Sequence, residues 1–390
     1  YVCIGTGNGL ANRLTGGDGV DALTGGGGLD VLAGGLGNDR YYIAAGDEDD
    51  VIVEAAGAGT DTVYVAVLAW ALMTPAHACP DDPQGAWQTL APGAHVWQTH
   101  GAPHVTPRNA GHVSATSVLV SGARAWVIDP GPSAMRGQWL RAQVACRWQA
   151  EVVGVLNSHA HADNTLANAA LAQGAPIWAS ARTAQTMAAR CPDCLLDLTQ
   201  HLGADLMAGT KIALPTRPEE PQAQLPWGPY VLQGWGAWAG HTAEDAVWAL
   251  PEAGVVWVGG LVYAQRVPEL AQGSLLGWLR ALSALDQALS KAAASGQPVR
   301  WLVGVRATPV NVSAQGVQAP ALQATQAYLH DLYQAVLQAM EAGASATDAD
   351  KIALPAYAHW AGYAERQAFN AQRAWRELEP LWMAGQLPEP

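Results

Sequence analysis

The chain has 390 residues, half of them apolar and only 14% charged, a balance that suits packed cores and excludes a disordered chain. Its formal net charge of −13 argues against nucleic acid or an anionic membrane as the main partner, and no apolar run reaches the roughly eighteen residues of a membrane span. The charge is uneven. Residues 1–66 carry ten acidic side chains and two arginines, a local charge of −8, so this end asks for a cation.

From Gly16 the sequence falls into nines: GGDGVDALT, GGGGLDVLA, GGLGNDRYY. Glycine fills the first, second and fourth places, Asp21, Asp30 and Asp39 the sixth, and Leu23, Leu32 and Tyr41 the eighth. GNGLANRLT at 7–15 is a degraded fourth copy with Asn12 in the Asp place. Glycines permit left-handed turns, the eighth-place side chains point inward from short strands, and carboxylates with turn carbonyls offer hard oxygen ligands. These residues, with the continuation GDEDDVIVEAAGAGTDTVY at 46–64, resemble the calcium-binding nonapeptide repeats of RTX proteins. The resemblance implies a short parallel β-roll over residues 1–66, with calcium held through Asp21, Asp30 and Asp39. A flexible Gly/Asp linker is the alternative.

A seam follows. VAVLAWALMTPAHACPDD at 65–82 holds an apolar run and then Ala76-His77-Ala78 before Cys79, the h-region and A-x-A pattern of a secretory signal peptide placed inside the chain. Residues 67–84 therefore read as a signal-like linker, and the downstream domain, 85–390, as descended from an exported protein. The expected localisation is periplasmic or secreted.

Residues 85–390 alternate strand and helix signals. TSVLV (116–120) and AWVID (125–129) read as a hairpin, residues 133–148 as a helix, and VVGVL (152–156) as a buried strand running into NSHAHADN. Further strands are predicted at 176–180, 230–235, 246–250, 255–259 and 301–305, with helices at about 273–294, 318–342 and 360–379. His159, His161 and Asp163 thus fall in a loop after a strand, where α/β folds place their chemistry.

The ordered set SVLVSGARAWVIDPGP, NSHAHADN and GHTAEDAVWALPEAGVVWVGGLVY resembles the metallo-β-lactamase superfamily over roughly 110–310. The tail, with FNAQRAWRELE at 369–379, is similar to periplasmic zinc metallohydrolases associated with quinoprotein dehydrogenase systems. The resemblance implies an α/β fold, an αββα sandwich with its metal site at one edge, and a small-molecule substrate. It also implies a link to a quinoprotein system.

In that superfamily one metal is held by the two His of H-x-H and a later G-H-T His, matched here by His159, His161 and His241. The second is held by the Asp and last His of H-x-H-x-D-H, a bridging Asp and a further His. Asp163 matches, but Asn164, Gly260 and Val305 stand where the other three belong. The expectation is one zinc on three imidazoles, with Asp163 orienting or deprotonating the attacking water against an acyl or ester-type carbon. Glu244 and Asp245 are reserve partners for an imidazole. Two alternatives stay open: a non-catalytic binding protein on a retired hydrolase fold, and a calcium-binding secreted protein whose repeats are the functional part. Cys191 and Cys194, the only close pair among five cysteines, read as a small disulfide loop. Asp129 reads as a turn cap beside the site, and His100 and His104 as ordinary histidines.

Overall fold

A computed structural model describes residues 3–26, 30–43, 50–55, 57–65, 79, 85–99, 104–220, 222–228, 230–305, 310–311 and 319–388. The signal-like segment, apart from Cys79, and His100 lie outside the described residues. The chain divides into two units, Tyr1–Ala78 and Cys79–Pro390.

The first unit is a parallel β-roll. Strands β1 (Ile4–Thr6), β3 (Ala22–Thr24), β5 (Arg40–Ile43) and β7 (Thr62–Val65) form one sheet, and β2 (Arg13–Thr15), β4 (Val31–Ala33) and β6 (Val51–Ile52) the other. All pairs are parallel, and the register Ile4↔Ala22, Ala22↔Arg40 puts two nonapeptides in each coil. The eighth-place residues Leu23, Leu32 and Tyr41 are fully buried between the sheets, flanked by Leu14 and Ile52. A strand of three residues is marginal alone. Stacking coils buries one inward side chain per strand in a shared core, which is why the period must be strict.

Each repeat Asp also carries a structural bond. One carboxylate oxygen accepts the backbone N–H one coil back: Asp21 from Cys3 (2.6 Å), Asp39 from Asp21 (2.7 Å), Asp61 from Asp39 (2.9 Å). On the opposite side Asp30 accepts from Asn12 (2.7 Å) and Asp50 from Asp30 (2.9 Å). Two carboxylate ladders therefore run up the roll.

The second unit has four layers. One sheet has the order β14-β13-β12-β11-β10-β9-β8, from β8 (Gly85–Ala91), β9 (Ala94–Thr99), β10 (Thr116–Ser121), β11 (Arg124–Ile128), β12 (Glu151–Leu156), β13 (Ile177–Ser180) and β14 (Arg217–Glu219). The other has the order β15-β16-β17-β18-β19-β20, from β15 (Gln224–Trp227), β16 (Tyr230–Trp238), β17 (Asp245–Leu250), β18 (Val255–Trp257), β19 (Trp301–Val303) and β20 (Val310–Asn311). Between them lie Val96, Leu119, Trp126, Leu156, Trp248 and Trp257 with their neighbours. Trp126 stacks on Trp178 at 5.5 Å and meets Trp227 edge-on, so tryptophan supplies the aromatic filling in a chain with a single Phe.

Strand alternation covers the outer faces. On β11, Trp126 and Ile128 face the other sheet, whereas Ala125 and Val127 face α1 (Ala134–Trp148) and the short α3 (Asn168–Ala172). On the far side, Val247 and Val256 pack under α5 (Leu275–Ala294), α6 (Pro320–Glu341) and α7 (Tyr363–Met383). The result is the αββα sandwich.

Three features depart from the sequence reading. β8 and β9 form an unanticipated hairpin, and residues Ala181–Leu202 form a helix, α4, through Pro192. Proline removes one helical N–H, but Met187, Cys191, Leu198 and Leu202 bury one face and offset that loss. The expected Cys191–Cys194 disulfide is overturned: both are free thiols, Cys191 buried and Cys194 half-buried. Side chains three apart on a helix lean the same way rather than towards each other. The disulfide is instead Cys79–Cys146, across 67 residues, tying the start of this unit to α1.

Candidate metal centre

β12 ends at Leu156, and the next residues turn sharply through Asn157 and Ser158 before α2 (Ala162–Thr165) begins. Asp129, at the end of β11 with φ +52°, accepts the Ser158 N–H (2.9 Å) and hydroxyl (2.6 Å) and so fixes that turn. His241 arrives from the loop between β16 and β17. Together they bring His159, His161 and His241 into one cluster with a ligand nitrogen of each within 4.8 Å of the others. Among the described residues no further His, Cys, Asp or Glu joins this cluster.

The imidazoles are held in defined tautomers. With Asp129 ionised, the Ser158 hydroxyl gives its one proton to that carboxylate and, at 2.8 Å from His159 Nδ1, accepts from the imidazole. His159 Nδ1 therefore carries the proton and Nε2 a lone pair. His241 Nδ1 donates to the Glu269 carbonyl (3.0 Å), and its Nε2 faces His161 Nδ1 at 2.8 Å, with the Tyr263 hydroxyl at 3.5 Å. Nitrogens on a tetrahedral zinc lie about 3.4 Å apart, so a small rotation of either ring reaches ligand geometry. His159 and His241 are buried, and His161 is half-buried. Tyr263 and Trp278 pack on the His241 ring at 5.7 and 5.4 Å.

The three positions that depart from the superfamily pattern make other contacts. Asn164 donates its amide to His159 Nε2 (3.2 Å), and its Oδ1 is buried with no hydrogen-bond partner among the described residues. At Gly260, a Cβ would lie 2.2 Å from His241 Cδ2, so the imidazole occupies the place where a bridging side chain would start. Gly259 before it adopts φ +52°, and a Cβ there would meet Ser158 Oγ at 2.8 Å. Val305 is buried and apolar.

Around the imidazoles sit buried carboxylates. Burial pushes Asp129 up to about 7 against the Ser158 hydrogen bonds, with Asp163 adding repulsion. Burial likewise pushes Asp245 up to about 7, opposed by the Thr242 N–H and reinforced by Asp129. Three converging imidazoles form a donor set for a borderline-soft dication.

Asp163 accepts a hydrogen bond from Ser114 (2.6 Å). Glu244 accepts from the Ser180 hydroxyl and Asp245 from the Thr242 N–H (2.8 Å), so these bonds go to the loop scaffold. Ser158, Glu269, Tyr263 and Trp278 carried no motif signal. The tail motif proves architectural: Asn370 bonds Pro268 and Leu270, while Glu377 caps α5 through Ser274, Leu275 and Leu276. Ser274 in turn bonds Gly240, beside His241. His104 pairs with Glu365 at 3.5 Å.

In the roll, a second cluster gathers Asp39, Glu54 and Asp61 within 4.8 Å. Asp30 Oδ2 and Asp39 Oδ2 are buried with no hydrogen-bond partner among the described residues.

No family model matches the chain, and no curated protein does. Solved structures similar to it include a metallo-β-lactamase from Erythrobacter litoralis with β-mercaptoethanol in the active site (15% identity, 65% of this chain and 99% of that one, TM-score 0.47). Others are a metallo-β-lactamase from Pontibacter korlensis (17%, 64% and 100%, 0.47) and FIM-1 from Pseudomonas aeruginosa in its mono-zinc form (17%, 65% and 98%, 0.47).

Proposed function

We propose that the chain is a zinc-dependent hydrolase of the metallo-β-lactamase superfamily, with a single metal held by His159, His161 and His241 and an acyl or ester-type small-molecule substrate. The observation that carries this reading is the convergence of three imidazoles, with a ligand nitrogen of each within 4.8 Å of the others. When bound, zinc supplies Lewis acidity and lowers the pKa of a water towards ~7.

The chain's own residues do the rest. Asp129 and Ser158 hold the His159 tautomer, and the Glu269 carbonyl holds that of His241. Asp163, on α2 two residues from His161, orients the attacking water and accepts its proton, while Ser114 fixes the carboxylate rotamer. The Cys79–Cys146 disulfide supports an oxidising compartment, periplasmic or extracellular. Partnership with a quinoprotein system rests on the tail motif alone.

A calcium role for the roll has its own support. Asp30 and Asp39 each bury a carboxylate oxygen with no hydrogen-bond partner among the described residues, and those oxygens point at Gly25 and Gly34, where a Cβ would come within 2.3 and 2.1 Å of them. Such orphaned oxygens fit a hard cation.

The test is zinc bound per full-length chain beside His159→Ala. About one zinc, lost in the variant, supports the site and opens an ester, thioester and β-lactam screen. No tight zinc in the wild-type chain refutes the hydrolase reading.

A further inference from the structure

The roll's two carboxylate ladders end differently. On the Asp21–Asp39 side the turn 34–39 is a regular GGLGND, but the segment one coil on, 54–61, opens with Glu54 rather than glycine and closes with Asp61. Repeat logic supplies no reason for a carboxylate at that first place, where a glycine would serve the turn.

The side chains there converge. Asp39 is fully buried; its Oδ1 holds the Asp21 N–H (2.7 Å), while its Oδ2 has no hydrogen-bond partner among the described residues. A Cβ built on Gly34 would lie 2.1 Å from Asp39 Oδ2 and 2.4 Å from the Tyr41 hydroxyl, so both oxygens aim at the same small region. The Tyr41 hydroxyl accepts the Gly34 N–H (2.5 Å) and donates to Glu54, which brings that carboxylate to the region as well. Asp61, bonded to the Asp39 backbone N–H at 2.9 Å, supplies the third, and oxygens of all three lie within 4.8 Å of one another.

Three carboxylates at this separation repel, most of all where one is dehydrated. Oxygens on a calcium coordination shell of about 2.4 Å radius lie at most about 4.8 Å apart, so this separation admits such an ion. Carboxylate and phenol oxygens without nitrogen or sulfur select a hard cation over zinc.

We propose that Asp39, Glu54 and Asp61 form a calcium site that closes the end of the roll, with Glu54 standing where a regular turn has its first glycine. The proposal rests on the calcium reading of the roll and adds the ligands Glu54 and Asp61. Bound there, the ion ties the segment 54–61 to the last regular turn. Through the ladder from Asp61 to Asp39 to Asp21, it also braces the coils behind.

The experiment is calcium titration calorimetry on the full-length, chelator-treated chain, comparing wild type, Glu54→Gln and Asp30→Asn. Glu54 is solvent-exposed, so its amide variant leaves the core untouched, and circular dichroism verifies this. The expected result is a loss of about tenfold or more in the tightest calcium affinity for Glu54→Gln, because removing one ligand charge weakens such sites. Asp30→Asn, on the other ladder, is expected to leave that affinity within about twofold. Calcium binding unchanged in Glu54→Gln, or equally weakened in both variants, overturns this site while leaving calcium in the glycine turns. No calcium binding by the wild-type chain overturns both.

Discussion

Gly260→Ala is expected to abolish tight zinc binding without unfolding the chain. The added Cβ would sit 2.2 Å from His241 Cδ2, 2.9 Å from Cγ and 3.0 Å from Asp245 Oδ1. Carbon–carbon contacts settle at about 3.5–4.0 Å, so the ring must shift by about 1.3 Å. It has little room: Tyr263 and Trp278 pack on it, Nδ1 is tied to Glu269, and the residue is 1% exposed. Zinc–nitrogen distances tolerate about 0.2 Å, so His241 stops being a ligand. Loss of an outer partner alone costs about 10–100-fold in affinity, so loss of the ligand should exceed about 100-fold, or about 2.7 kcal/mol. Gly260 does not adopt a left-handed φ, so alanine is tolerated by the backbone and the effect is steric. Overpacking should lower folding stability by about 1–3 kcal/mol. Competition against a chromophoric zinc chelator reads the affinity, and urea unfolding verifies the fold. A folded variant that binds zinc within about threefold of wild type would refute the placement of His241. By the same contact, Gly260→Asp combined with Asn164→His should not create a second zinc site.

Ser158→Ala should weaken zinc binding by about tenfold, because His159 loses the acceptor that keeps its proton on Nδ1; nitrogen NMR of the imidazole reports the tautomer, and an unchanged tautomer and affinity would contradict the relay. His112 is pushed down to about 2 by burial and then by Arg136, so it stays neutral when folded while the unfolded chain takes up a proton below about 6.5. Stability present above that pH is lost as pH falls, by about 1.4 kcal/mol per unit. Urea midpoints between about pH 6.5 and 4.5 should therefore show a shallower pH dependence in His112→Gln, and identical slopes would count against it. Cys146→Ser opens a 67-residue separation and should lower stability by about 4 kcal/mol on the loop-entropy account, read by denaturant unfolding under oxidising conditions. A loss below about 1 kcal/mol would exclude that bond.

Where information is local, residues alone carried it. The nonapeptide register follows from glycine, Asp and an inward side chain at fixed intervals, each acting on its own turn. Leu23, Leu32 and Tyr41 lie where that period puts them. The strands leading to the His159 loop are short apolar runs that cannot stay in water. H-x-H and G-H-T marked three histidines that the fold gathers. Distance in the chain hid the rest. Cys79 finds Cys146 only because the sandwich brings them together, and α4 survives Pro192 through packing that its own residues do not advertise. Nothing local in SHAH says that Ser158 will be gripped by Asp129, which sits 29 residues earlier. Gly260 by itself reads as a missing ligand. In the fold it is the space that the His241 ring requires, because steric exclusion exists only between residues that tertiary structure has already brought into contact.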